Sequence, residues 1–269
     1  MKKAVKISGV ILGVIMIIAL VIFIFFPGIF TYFKVKHKYS HIDDSLEKFE
    51  KLIVPDAFDA FTINGVKLKM PYGSKRQTYD LTYSDGSTRP EYSNIIRYKD
   101  EISVMITQNS ISEQKKLLEQ AEQSGSLDNL KAELGDDYWE DFSDDEYKHY
   151  FDSVGDTVPR DDGSRVFYTK DKLKASDCLH LRGRDMEIFK YLAECKDDAY
   201  ESEKSYILDI SNCKAYISQD FLFYNGKLWT VFIYPKYNED IKYFAIIRGD
   251  DEEMIKQIIS SIELKGGTK

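Results

Sequence analysis

Nucleophilic catalysis needs a hydroxyl or thiol placed beside a base. The chain holds four histidines and three cysteines. His37 and His41 follow closely on an apolar N-terminal run, which leaves His149 and His180 as candidate bases. Cys178-x-His180 is the nucleophile and base closest together in sequence. Read as a strand, that spacing places both side chains on one face without aligning the thiol for attack, so an ordinary structural pair is the better reading. Cys178, Cys195 and Cys213 are too widely spaced for a zinc or redox motif and read as small buried thiols. No G-x-S-x-G, phosphate-cradling glycine loop or H-E-x-x-H occurs. No catalytic, cofactor-binding or metal-ligating residue is assigned from the sequence.

Acids are densest between Glu133 and Asp156, with Asp136, Asp137, Glu140, Asp141, Asp144, Asp145 and Glu146 among them. Hard cations want converging oxygens, but the run lacks the alternating ligands and central glycine of an EF-hand loop. Asp144, Asp145 and Glu146 would fill the first turn of a helix, where acids favour the dipole. A solvated acidic face is expected. A hydrolase with paired carboxylates stays open as a reading, since such pairs need not be neighbours in sequence. Tyrosine is abundant at 19 residues, and Tyr147, Tyr150, Tyr234, Tyr237 and Tyr243 are candidates either for core edges or for an adhesive patch.

The elements that must position these groups are legible by period. Leu46, Phe49, Leu52 and Ile53 form a helical stripe ended by Pro55, giving a short helix over 43–54. FTINGVKLKM predicts a hairpin turning at Asn64-Gly65. Strands are expected at Tyr79–Tyr83 and Asn94–Tyr98, joined through Ser84, Asp85 and Gly86, and at Ile102–Thr107. Ser110 with Glu113, and Ser143 with Glu146, are capping boxes for helices. The first carries Leu117, Leu118 and Ala121, with Leu127, Leu130 and Leu134 resuming the run beyond Gly125; the second carries Tyr147, Tyr150, Phe151 and Val154. Asp161-Asp162-Gly163 reads as a turn, Val166–Tyr168 as a short strand, and Met186–Ala193 as a helix. SYILDI, KAYIS, QDFLFY, KLWTVFIY and IKYFAII are strand-like runs, with a tight turn at Asn225-Gly226. A closing helix over 251–264 is capped by Asp250 and buries Met254, Ile255, Ile258, Ile259 and Ile262. Strands, a helical middle, a meander and a covering helix predict an α+β domain with an antiparallel sheet covered by helices.

Ahead of this domain, residues 7–33 carry no charge, and Val10 to Phe26 is almost wholly apolar. That length spans a hydrocarbon core of about 30 Å. The apolar stretch exceeds a signal peptide's, and FFPGIFTYF offers no small-residue cleavage site, so an uncleaved transmembrane anchor is expected. Phe30, Tyr32 and Phe33 sit where an interfacial belt would be. Gly9 and Gly13 form a G-x-x-x-G that weak dimerisation could use. The expected organisation is a basic tail at 1–6, an anchor at 7–33, a juxtamembrane segment at 34–59 and one α+β domain at 60–265.

The formal net charge is -8, yet the first 38 residues hold six lysines and no acid, so the remainder carries -14. Such a surface argues against nucleic acid and against lying on anionic lipid, and leaves basic proteins, cations and polyols as partners. Lys34, Lys36 and Lys38 nearly balance Lys2, Lys3 and Lys6, so the positive-inside rule is almost silent. A basic head before an apolar run places the N-terminus inside and the domain outside.

In NGKLWTVFIYP, IKYFAII and MIKQIISSIEL, a hairpin runs through a further strand into a last helix with an Ile-x-x-Ser-Ile phrase, Ile258 to Ile262. This ending resembles PsbP-like domains. The overall layout is also similar to single-pass envelope proteins of unassigned function in Gram-positive bacteria. The resemblance implies a fold and supplies no catalytic motif. The functional expectation is a membrane-anchored extracytoplasmic module that binds a protein or envelope ligand without catalysis. A tethered hydrolase using carboxylates and an anchored intracellular adaptor are the alternatives.

Overall fold

The computed structural model describes residues 16–82 apart from 19 and 23, then 88–124, 142–221 and 226–264. In chain order the elements begin with α1 (Ile29–Lys38), β1 (Glu47–Lys48), β2 (Asp59–Ile63), β3 (Val66–Met70), β4 (Lys75–Thr82), β5 (Thr88–Tyr98) and β6 (Ile102–Ser110). The helical middle is α2 (Ile111–Gln123), α3 (Asp144–Val154), α4 (Asp162–Lys172), a 3-10 helix (Ala175–His180) and α5 (Gly183–Ser202). There follow β7 (Glu203–Leu208), β8 (Cys213–Asp220), β9 (Leu228–Pro235), β10 (Ile241–Gly249), α6 (Glu252–Ser260) and β11 (Glu263–Leu264). The chain is α+β, as its patterning predicts.

Two compact units are present. The described residues of Met1–Ser45 and Trp139–Glu201 form one, and those of Leu46–Tyr138 and Ser202–Lys269 the other. The stretch 60–265, expected as one domain, contributes to both.

The second unit is built on an eight-stranded sheet in the order β1-β7-β8-β9-β10-β6-β5-β4. Every pairing is antiparallel except β1 with β7, so the sheet is mixed where a purely antiparallel one was expected. The parallel pair comes from the segment read as a helix. Leu46 and Phe49 of its apolar stripe are buried, but Ile53 is 91% exposed, and Phe49 N–H donates to Ile207 O at 2.8 Å across the sheet edge. A four-residue apolar pattern with Pro55 behind it is too short to nucleate a helix against that pairing.

Alternation along the strands sends Val104 and Ile106 of β6, Val231 and Ile233 of β9, and Ala245 and Ile247 of β10 into one core. Over that face lie Val66, Leu68 and Met70 of a three-stranded sheet, β11-β3-β2, and the stripe Ile255, Ile258, Ile259 and Ile262. The Asn64-Gly65 hairpin forms as read, with φ of 51° and 84°, the two left-handed residues of a type I′ turn. KAYIS and the start of QDFLFY are one strand, β8, so among the described residues the C-terminal meander has four strands before α6, where five were expected. Residues 83–87 and 222–225, which include the expected turn residues Ser84, Asp85, Gly86 and Asn225, lie outside the described residues.

The first unit packs α1 and the following chain against α3, α4, the 3-10 helix and α5. Its core contains Val35, Tyr39, Ile42, Tyr150, Phe151, Phe189 and Leu192. The Ser143 capping box forms in full: Ser143 Oγ accepts from Glu146 N–H and the Glu146 carboxylate accepts from Ser143 N–H. Val166–Tyr168, expected as a strand, lies inside α4. Asp161 is that helix's N-cap rather than a turn residue, accepting from Ser164 N–H at 2.8 Å. The capping signal was present as D-x-x-S, and the short apolar run after it outweighed it in the reading by period.

Of the expected anchor, residues 16–25 other than 19 and 23 are helical, the chain turns at Phe26-Pro27-Gly28, and α1 starts at Ile29. Among the described residues no helix is long and apolar enough to cross a membrane. Gly9, Gly13 and the rest of 1–15 lie outside them.

Candidate functional site

Cys178 and His180 fall on the 3-10 helix, not on a strand, and are turned to different partners. The Cys178 thiol is buried and donates to Ala175 O at 3.1 Å and to Gly28 O at 3.7 Å. Burial pushes it up to about 11, so at neutral pH it is a thiol and a poor nucleophile. His180 Nδ1 lies 3.0 Å from Phe25 O. A carbonyl only accepts, so that nitrogen carries the proton. All three cysteines are thiols, and burial raises Cys213 in the same way.

His149 is better placed for chemistry. Its Nδ1 is 2.8 Å from Asp185 Oδ1, and Ser153 Oγ donates to Asp185 Oδ2 at 2.9 Å. The hydrogen bond to Asp185 raises the imidazole above its ordinary value. The three residue types match a hydrolytic triad, but the roles do not. There the serine bonds to the imidazole; here it bonds to the carboxylate and to His149 O. Nothing deprotonates the hydroxyl.

Asp144, Asp145 and Glu146 occupy the first turn of α3 as expected, with Glu146 also held by Arg184 at 2.7 Å. Glu133, Asp136, Asp137, Glu140 and Asp141 lie outside the described residues, among which no cluster of ligating groups could hold a metal. Tyr147, Tyr150, Tyr234 and Tyr243 are buried and Tyr237 is half exposed, so four of these five belong to the core.

A concave feature lined by charged residues lies on the second unit, at the end of the sheet where β5 turns into β6. Arg97 of β5 pairs in register with Ser103 of β6, and Ser103 pairs with Arg248 of β10. Residues directly opposite across antiparallel strands share a face. Two arginines therefore stand on either side of one serine, on one face across three neighbouring strands. With Lys99, Asp100, Glu101, Ile102, Lys227, Gly249 and Asp250 they line a cleft of about 400 Å³.

The backbone there is shaped for it. Lys99 takes a left-handed φ of 49°, which costs a side chain-bearing residue about 1 kcal/mol or more. A Cβ on Gly249 would come within 3.0 Å of Glu101 O and 2.9 Å of Ile102 Cγ1, so only glycine allows the β10 end to approach the turn so closely. Gly249 N–H donates to Lys227 O at 3.2 Å. Lys227 pairs with Asp250 at 2.5 Å, and Lys99 with Glu101 at 3.9 Å. Four cations against three acids make this a basic spot on an otherwise acidic chain. Guanidinium forks suit carboxylate and phosphate. Sequence reading missed this site because its charges come from three separated segments and meet only through strand register.

Comparison with protein-family models gives no match, and comparison with curated proteins gives none at a significant level. The cleft must be read from its own chemistry.

Proposed function

We propose that this chain is a single-pass, membrane-anchored extracytoplasmic binding module, held in the cell membrane by residues 7–33, whose cleft takes an anionic group of a protein or envelope ligand. The Arg97–Ser103–Arg248 row carries this reading: two planar cations and a hydroxyl on one face suit an oxyanion. The anchor is supported by the uncharged run and by side chains from Met16 to Phe26 that stand exposed though apolar. A carboxylate hydrolase is less well supported, since its two carboxylates must both face the substrate, and Glu101 and Asp250 are each engaged by a lysine.

Inorganic phosphate, followed by NMR of the arginine side chains, tests the cleft. Saturable shifts confined to Arg97 and Arg248, abolished in Arg97→Ala/Arg248→Ala, are expected. Shifts that survive the double variant, or none at all, would overturn it. Protease shaving of intact cells tests the compartment: the domain is cut if it lies outside, and an uncut domain makes it an anchored intracellular adaptor.

A further inference from the structure

The outer side of α1 carries a feature that the cleft does not use. Val35 is buried, and Thr31 and Tyr32 beside it are half-buried, so this side packs inward. On the opposite side, at helical spacings of 3, 4 and 7, stand Phe30, Phe33, Lys34 and His37. Phe30 is 66% and Phe33 63% exposed. The same exposed apolar surface continues back through Phe25, Ile24 and Leu20.

Where the incoming helix ends, its last carbonyls have no partner within the helix. Arg182 Nη2 donates to Ile24 O at 2.9 Å, and His180 Nδ1–H to Phe25 O at 3.0 Å. Gly28 N–H donates to Leu179 O at 3.0 Å, and a Cβ on Gly28 would fall 1.8 Å from Cys178 O. The His180 ring rests on Phe26 with centroids 5.1 Å apart. The segment 178–182 thus seals the helix end with donors and leaves no room for a side chain at the turn. A guanidinium here fixes a depth: it cannot go into hydrocarbon and is at home among phosphates.

From these positions we infer that the outward face of α1 lies in the headgroup region of the bilayer, with Phe30 and Phe33 at the acyl boundary and Lys34 and Arg182 facing lipid phosphate. This rests on the anchored reading above and adds the partner of α1. Water is a poor occupant, because two adjoining phenylalanines and the apolar surface behind them would stay exposed. Interfacial helices combine aromatic residues with basic ones in this way. Lys36 and Lys38 on the same helix are already engaged by Asp43 at 2.7 Å and Glu194 at 3.2 Å.

The test uses the full chain in vesicles of phosphatidylcholine and phosphatidylglycerol in equal parts, in a Cys195→Ala background. One nitroxide label is placed at Phe33→Cys, at Phe30→Cys, at Ile22→Cys or at Asp198→Cys, and its collisions with oxygen and with a water-soluble nickel chelate are measured. Labels at 30 and 33 are expected to lose nickel collisions several-fold relative to the label at 198 while keeping oxygen collisions. A label at 33 as open to nickel as the one at 198, with the label at 22 shielded, would overturn the inference and leave the anchor standing. Nickel access at 22 as well would overturn the anchored reading itself. Loss of both nickel and oxygen collisions at 33 would mean that protein covers the face, a second copy or a partner helix, and would also overturn the inference.

Discussion

At the scale of single residues, the contrast between His149 and Lys196 shows how environment sets charge. His149 lies on the surface and gains a carboxylate partner, so its protonated form is favoured. Its contribution is full below the ordinary value of 6.5 and is lost as pH rises through the higher folded value. An NMR titration is expected to place His149 above 6.5, and Asp185→Asn to bring it back. Lys196 is fully buried; its Nζ donates to Asp44 O at 2.6 Å and Leu173 O at 2.8 Å. Burial, with Lys174 nearby, lowers it to about 8. Between that value and 10.5 the unfolded chain binds more protons at this position, so the residue makes stability rise with pH across the window. Lys196→Met should remove that rise. It should also cost about 1–3 kcal/mol in urea unfolding at neutral pH, because the buried Leu173 carbonyl loses its donor. Asp44 O keeps Lys174, which also donates to it at 3.0 Å. An unchanged midpoint would contradict this cost. Sequence made His149, Cys178 and His180 visible as types. It could not show which partner each would take, since Asp185, Phe25 O and Ala175 O are chosen by tertiary packing.

At the scale of elements, local signals were a better guide to some helices than to others. The closing helix had both a cap and a stripe, and α6 forms with Ile255, Ile258 and Ile259 buried. The cap is Asp251, one residue later than expected, its Oδ1 accepting from Met254 N–H at 3.0 Å. Asp250 is instead drawn to Lys227. Asp251→Ala should cost about 1 kcal/mol as a lost N-cap, and Ile258→Ala about 2–5 kcal/mol as a cavity in a fully buried stripe. Denaturant midpoints would rank them; a larger loss at Asp251 would contradict the burial argument. The stripe at 43–54, although Asp44 and Glu47 stand at capping-box spacing, is overridden by pairing with β7 and becomes an edge strand. Val166–Tyr168 lacked alternation and fell within a capped helix. For the cleft, the sequence offered only scattered basic residues, which local patterning cannot bring together.

For the whole molecule, strand identity was readable but strand order was not. Alternation marks β6 and β10 separately, and nothing local says that the last strand inserts beside the sixth. That insertion makes β9 and β10 central and leaves β4 at an edge, with Tyr79 51% and Leu81 41% exposed. Hydrogen exchange should therefore be slowest at Val231, Ile233, Ala245 and Ile247, and among the fastest strand amides should be those of β4. Equal protection across the sheet would contradict the order.

The interleaving of the two units along the chain bears on how the protein is made. Chain up to Ser45 belongs with chain that begins at 139, and β6 must wait for β10 to be synthesised. The first-made strands therefore emerge with their apolar faces uncovered, and α6, whose stripe closes that core, is synthesised only after all the strands of the large sheet. Contacts this distant in sequence form slowly and leave sticky intermediates. Completion of this core thus waits for α6, and until then its apolar strand faces are the segments most open to non-native association.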